Sequence, residues 1–360
     1  MLLDLLELQR RYHDLALLIL ANRILETSEK RLRAANIPYK ILGAKKYNPF
    51  GFLRLRQNLA KIAPEIVVTR LEFSNTFGIA AALTLGKSRP LLVRFIDNDP
   101  SQHYSLLHRL AGRLLAPWVD VHIAISESLR RSTLRAFCGR IRRIEVIPPG
   151  LDTARFSPAK TDPNRSEVIR DGASRVIGTV GRLSEQKAFD LLIRAMPNLL
   201  VSDANIRLLI VGDGPLRHRL EKEVEMLGLN KTIKFLGMQS DPVPIFQAMD
   251  VFVLPSKHEG FGLVLTEAMA MGVPVVGTRV VGTVDAIEDG ISGLLVPYGD
   301  VEALSNAILR IFLEPELRHV LIQNGRSRVR QYFTREIMAA KTEALFGELK
   351  NNRLSRELLL

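Results

Sequence analysis

Lys257-His258-Glu259-Gly260-Phe261-Gly262-Leu263-Val264-Leu265-Thr266-Glu267-Ala268-Met269-Ala270 decides the fold class of this 360-residue chain. The string follows the apolar run Val251–Leu254 and then Pro255 and Ser256. A short continuous apolar run, a glycine-bearing loop and a helical pattern together describe a buried strand feeding a helix. Gly260 and Gly262 let the backbone come close to a ligand. They also place free amides at a helix start, where a partial positive charge suits a phosphate. Glu259 precedes the helix and Glu267 lies inside it, so both can face the strand ends where open α/β sheets bind ligands. A carboxylate there can accept two hydroxyl hydrogen bonds, as a sugar or ribose offers. Taken alone, the two glutamates read better as solvated residues around a capped helix.

Outward from this string the same alternation continues. Strand-like runs are Val176–Val180, Arg207–Val211, Ile233–Leu236, Val273–Val276 and Gly293–Val296, with helical patterns around Asp190–Leu200, Leu216–Leu227, Pro244–Met249 and Leu263–Met271. Short apolar strands alternating with helices imply a parallel sheet covered on both faces. The first half repeats the alternation less cleanly, with strand candidates Leu17–Leu20, Ile66–Thr69, Leu91–Phe95, Val121–Ile125 and Ile144–Ile147. Two α/β domains, 1–155 and 156–334, joined through the Pro-, Asp- and Ser-rich stretch Pro148–Ser166, are the economical reading. The final helix, predicted at about Arg335–Leu349 and running toward 360, can pack back on either domain, the N-terminal one included.

A second loop follows Val176–Val180: Gly181-Arg182-Leu183-Ser184-Glu185-Gln186-Lys187. Two cations in a loop after a strand can clamp a diphosphate, Arg with a planar fork and Lys as a point charge. A third junction, Val211-Gly212-Asp213-Gly214-Pro215, is explained by turn chemistry alone.

Bulk properties bound the reading. The first 160 residues hold 26 Lys/Arg against 13 Asp/Glu, and the remaining 200 hold 24 against 25. The whole basic excess therefore lies in the first half, a field that attracts polyanions. The single cysteine, Cys138, excludes an intramolecular disulfide. The Leu-rich start is interrupted by Asp4, Glu7, Arg10, Arg11 and Asp14, whereas a spanning helix needs roughly 20 apolar residues in a row.

Five segments in order resemble the retaining glycosyltransferases of the GT-B fold, the large group called family 4 (glycosyl transferases group 1). They are Ile147-Pro148-Pro149-Gly150-Leu151-Asp152 with Phe156, Gly181-Arg182-Leu183 with Lys187, Leu209 through Pro215, Phe235-Leu236-Gly237, and Glu259 through Glu267 with Ala268-Met269-Ala270. The resemblance implies two Rossmann-like doubly wound domains facing a cleft. It implies that Arg182, Lys187, Gly262 and Leu263 meet the donor diphosphate. Glu259, with Gly260, Phe261 and Gly262, would hold the transferred sugar, and Glu259 would be the catalytic carboxylate. Glu267, Met238 and Gln239 would meet ribose and base, while Asp97 and His103 fall on the acceptor side. The implied activity is transfer of a hexose, with retention, from a nucleotide-diphospho-sugar to a glycan or lipid-linked glycan in cell-envelope polysaccharide or lipopolysaccharide synthesis. No metal or cofactor is expected, because cations and a helix N-terminus neutralise the leaving diphosphate. The implied place is cytoplasmic, peripheral on the inner face of the cytoplasmic membrane.

The chain also departs from the pattern. Family members open with a strand and a glycine-rich loop; here Met1 falls just before or inside the next helix, so the N-terminal domain is expected to lack its first strand. Ile96 stands where the family often has His, Pro149 where Asn is usual, and Val281-Gly282-Thr283-Val284-Asp285 where Gly-Gly-x-x-Glu is expected. Asp97-Asn98-Asp99 also reads as a DxD metal motif, a short pattern that arises readily by chance. The basic runs Lys30–Lys61 and Arg130–Arg143, with Tyr47, Phe50 and Phe52 among the cations, can rest on an anionic membrane or pack as an amphipathic helix. No nucleic-acid module is present. Two further readings stay open: a nucleotide-sugar-binding scaffold without turnover, and another GT-B enzyme such as an epimerase or phosphorylase.

Overall fold

In the computed structural model, residues 2–10, 13–20, 26–43, 49–158, 169–170 and 172–357 are described. Tyr47 and Asn48 of the basic aromatic segment, and 159–166 of the interdomain stretch, lie outside them. The chain divides into two units, Met1–Gly150 with Arg335–Leu360, and Leu151–Thr334. The division falls at Gly150 rather than after 155. Leu151 donates its N–H to the carbonyl of Phe333 at 2.8 Å and so belongs with the second unit.

Among the described residues the N-terminal unit holds six strands: β1 (Leu17–Ile19), β2 (Tyr39–Ile41), β3 (Ile66–Thr69), β4 (Leu91–Ile96), β5 (Val121–Ala124) and β6 (Ile144–Val146). They form two separate parallel ladders, β1-β2 and β3-β4-β5-β6. Both ladders feed one core, in which Leu20 and Leu42 meet Leu55, Ile79, Leu92 and Val119. Among the described residues the helix Leu2–Gln9 comes before β1, with no strand ahead of it. β2 is a strand that no sequence pattern announced. It is three residues long and mostly exposed, so it shows neither an apolar run nor a clean alternation.

The final helix, Arg335–Glu357, packs on this unit. Met338, Leu345, Phe346 and Leu349 are buried. His13 pairs with Glu343 at 2.6 Å, and Arg143 grips Glu348 through two bonds of 2.7 Å.

The C-terminal unit continues with β7 (Arg175–Val180), β8 (Ile206–Val211), β9 (Ile233–Gly237), β10 (Val251–Leu254), β11 (Val275–Thr278) and β12 (Leu294–Val296). All are parallel, in the order β12-β11-β10-β7-β8-β9. Helices cover both faces, so the central strands are buried along most of their length. The order reverses between β7 and β10, and open sheets bind ligands at the carboxyl ends beside such a switch. β11 starts two residues later than its apolar run suggests. Pro274 has no N–H for the ladder and occupies the lead-in, where its carbonyl accepts from Phe252 at 3.0 Å.

Candidate functional site

The loops that leave β7 and β10 are laced to each other. Lys257 donates its backbone N–H to Gln186 at 2.8 Å, and the Gln186 side-chain amide donates to the carbonyl of His258 at 3.0 Å. This brings Lys187 onto Glu259, with Nζ to Oε1 at 2.6 Å. The Ser256 hydroxyl, at the end of β10, donates to the same Oε1 at 2.6 Å. Glu259 is only 6% exposed. A carboxylate so deeply placed is tolerated only when paired and hydrogen-bonded. Both bonds fall on Oε1, so Oε2 has no hydrogen bond among the described residues and is the oxygen available to a ligand.

The backbone around Glu259 is held just as closely. Its N–H donates to Val281 at 3.2 Å. Gly282 lies under the loop with φ +88°, and a Cβ there would come within 2.8 Å of backbone atoms of Glu259, Gly260 and Phe261. The altered glycine element of the sequence thus acts as the floor of the Glu259 loop. Phe261 is buried edge-on against Phe333, ring centroids 5.0 Å apart, so only its backbone is placed to meet a ligand.

Gly262, at φ +84°, caps the helix Leu263–Ala270. The first amides of that helix, at Leu263 and Val264, have no intrahelical partner and carry the positive end of its dipole. Glu267 lies further along, partly open to solvent but crowded by protein on its other sides. Burial pushes its carboxyl up to about 7, and the Arg155 charge opposes the rise. Arg182 is exposed and makes no ion pair among the described residues, so of the two expected diphosphate cations only Lys187 is held inward. Met238 and Gln239 follow β9 at the same edge of the sheet; both are exposed, and the Gln239 amide donates to Leu236 at 2.6 Å.

The expected acceptor-side residues lie in the N-terminal unit. Asp97 follows β4, and Arg70, which follows β3, donates from Nε to both its oxygens at 2.9 and 3.0 Å. Asp99 is buried and accepts from the Ser101 amide at 2.8 Å and from the Ser101 and Ser132 hydroxyls at 2.7 Å each. Both carboxylates of the DxD string are therefore engaged by the chain itself. Among the described residues no cluster of three or more His, Cys, Asp or Glu is arranged to hold a metal. His103 ends the short helix Pro100–His103, and its side chain lies outside the described residues. Ile96 is fully buried in β4.

Three residues of the site escaped sequence reasoning. Ser256 had a signal, its place at a strand end three residues before Glu259. Gln186 and Arg155 had none, because each acts on a residue far away in the chain.

Both halves of the chain match family models of known proteins. The model described as Glycosyltransferase Family 4 matches residues 5–155, and the one described as Glycosyl transferases group 1 matches 161–328. The chain is 31% identical over 232 residues to the capsular polysaccharide biosynthesis glycosyltransferase CapM of Staphylococcus aureus, covering 62% of this chain and 60% of that protein. It is 32% identical over 257 residues to a GDP-mannose-dependent alpha-(1-6)-phosphatidylinositol monomannoside mannosyltransferase of Mycolicibacterium smegmatis, covering 66% of each. Across its curated relatives the chain spans about half to two thirds of their length. The crystal structure of Anabaena Alr3699/HepE in complex with UDP-glucose superposes with a TM-score of 0.84 at 22% identity, covering 96% of this chain and 94% of that one. That likeness fixes the fold as GT-B with two Rossmann-like units. The chain belongs to the glycosyltransferases, with a family 4 N-terminal unit and a group 1 C-terminal unit.

Proposed function

We propose that the chain transfers a hexose from a nucleotide-diphospho-sugar to a glycan or lipid-linked glycan acceptor, with retention at the anomeric carbon, in the synthesis of a cell-envelope polysaccharide or lipopolysaccharide. The observation that carries the reading is the gathering of Lys187, Ser256, Glu259 and the first amides of the helix Leu263–Ala270 at the switch between β7 and β10. The free Oε2 of Glu259 accepts from hydroxyls of the bound sugar. Glu267, when ionised, accepts from the ribose. The helix amides with Arg182 and Lys187 stabilise the charge that grows on the diphosphate as the sugar–phosphate bond breaks. The acceptor oxygen bonds to the anomeric carbon on the face the diphosphate leaves, and its proton passes to a phosphate oxygen. Most of the rate comes from positioning and preorganised charge, with no metal called for. Support for the envelope setting comes from the relatives, one a capsular polysaccharide biosynthesis glycosyltransferase and one a phosphatidylinositol monomannoside mannosyltransferase. The membrane part of the reading is a peripheral enzyme on the inner face of the cytoplasmic membrane. Among the described residues no helix is long and apolar enough to cross a membrane.

The test is transfer and hydrolysis over a panel of UDP-, GDP- and ADP-sugars, with wild type and Glu259→Ala. Loss of about 100-fold or more in turnover of the accepted donor is expected; unchanged turnover of every accepted donor sinks the assignment. A second reading, a binding protein without turnover, is favoured by Ile96 buried where the resemblance expects a histidine. Nucleoside diphosphate binding by calorimetry, with neither hydrolysis nor transfer for any donor, selects it.

A further inference from the structure

The helix Leu106–Leu115 is built inside out. Leu106, Leu107, Leu110 and Leu114 recur at spacings that share one face, and Trp118 prolongs the row through the following turn. These five side chains are 65, 72, 45, 65 and 58% exposed. His108 and Gly112 occupy the buried face. An ordinary surface helix does the reverse. The helix cannot roll to hide its leucines, because a Cβ at Gly112 would come within 2.9 Å of the Phe137 ring, and Arg113 Nε donates to the carbonyl of Ala136 at 2.7 Å. A contiguous row of this kind marks an interaction surface.

What the row meets is indicated by its charge setting. Trp118 also lines a cavity of about 720 Å3 at the amino ends of β4, β5 and β6, opposite the edge that carries Asp97. Its ionisable lining is Lys87, Arg89, Arg142, Arg143 and Arg353 against one carboxylate, Asp120. Arg89 and Arg143 are spent on Asp120 and Glu348, whereas Lys87 and Arg142 are exposed and have no ion pair among the described residues. A leucine row ending in a tryptophan beside uncompensated cations fits the boundary of an anionic bilayer. There acyl chains take the leucines, the indole sits at headgroup level and phosphates meet the cations.

We propose that the helix Leu106–Leu115 with Trp118 is the element that lies in an anionic lipid surface, Lys87 and Arg142 meeting its phosphates. The proposal rests on the membrane part of the proposed function. It moves the apolar contact from the basic runs singled out in the sequence to a helix between them, and keeps Arg142 of the second run as a phosphate contact. The helix starts just after Asp97 and His103, so a lipid-linked acceptor held in that surface is delivered at the acceptor side of its own unit.

Trp118 is the chain's only tryptophan, so its fluorescence reports this one place. Full-length protein is titrated with vesicles of phosphatidylglycerol and phosphatidylcholine, and with phosphatidylcholine alone. With the anionic vesicles the emission is expected to shift to the blue and to be quenched by lipids brominated in the acyl chain, both effects weakening at high salt. Leu110→Glu with Leu114→Glu is expected to lower vesicle partition by about 100-fold or more, with donor hydrolysis in buffer unchanged as the check on folding. Co-sedimentation with anionic vesicles without any change at Trp118 overturns the helix and leaves the membrane reading standing. Absence of binding to either vesicle overturns both. Self-association in buffer that the same double variant abolishes assigns the row to a second copy and overturns the proposal.

Discussion

The pH dependence of nucleotide binding should follow Glu267. Burial lifts this carboxyl from its ordinary 4.5 to about 7, while its role toward a ribose needs the ionised, accepting form. When only the ionised form binds, the apparent dissociation constant is multiplied by one plus the ratio of protonated to ionised carboxyl. For a pKa near 7 that factor is about 1.1 at pH 8 and about 11 at pH 6, a tenfold change or ~1.4 kcal/mol. Calorimetric titration with UDP and GDP at pH 8, 7 and 6 measures it. The nucleotide's terminal phosphate also takes up a proton near pH 6. Glu267→Gln isolates that contribution, binding about tenfold or more weakly at pH 8 and with a flatter profile. If wild type and Glu267→Gln lose affinity in parallel, or wild type binds more tightly at pH 6, the reasoning fails. The same group makes an opposite statement about stability. With its folded pKa above its unfolded one, the native state holds more protons between pH 4.5 and 7, so its contribution to stability falls as pH rises through that window. Glu267→Gln should then raise the melting temperature of the unliganded chain at pH 8. The gain is at most about 3 kcal/mol, and less after screening by the solvent on its open side.

Lys187→Met leaves Glu259 buried with only Ser256 as donor, and Glu259→Gln leaves Lys187 without its carboxylate. Each should cost about 1–3 kcal/mol of stability, and the double variant less than the sum, a coupling that a thermal-denaturation double-mutant cycle reads directly. Gly282→Ala touches no ligand but drives a methyl into the backbone of Glu259, Gly260 and Phe261 at a positive φ. It should cost about 1–3 kcal/mol in denaturant titration and weaken donor binding as well; wild-type donor affinity in this variant would show that the loop floor is irrelevant to the site. Exhaustive dialysis against EDTA should leave transfer unchanged, and a rate restored only by added Mg2+ or Mn2+ would refute the metal-free reading.

Much of the C-terminal unit was legible from local pattern. Its strands are covered on both faces, so they appear as largely apolar runs, and their ends were placed to within one residue except at β11, which Pro274 delays by two. The N-terminal unit was harder to read because β1 and β2 are three residues long and partly exposed. The helix Leu106–Leu115 shows why a helical period does not say which face is inside: its leucines invite burial, and only the packing of Gly112 on Phe137 turns them outward.

The same division holds at the site. Local sequence determined that a glycine-bearing loop precedes a helix after Leu254, that Glu259 and Glu267 flank its start, and that Arg182 and Lys187 follow a strand, since turn and helix-start chemistry depends on residues a few positions apart. Tertiary structure decided that β7 and β10 are neighbours, and hence that Lys187 meets Glu259, that Gly282 supports the loop and that Arg155 bears on Glu267. Strand order, burial and the pKa of a buried carboxyl are sums over groups distant in the chain. They take definite values only when the sheet has assembled.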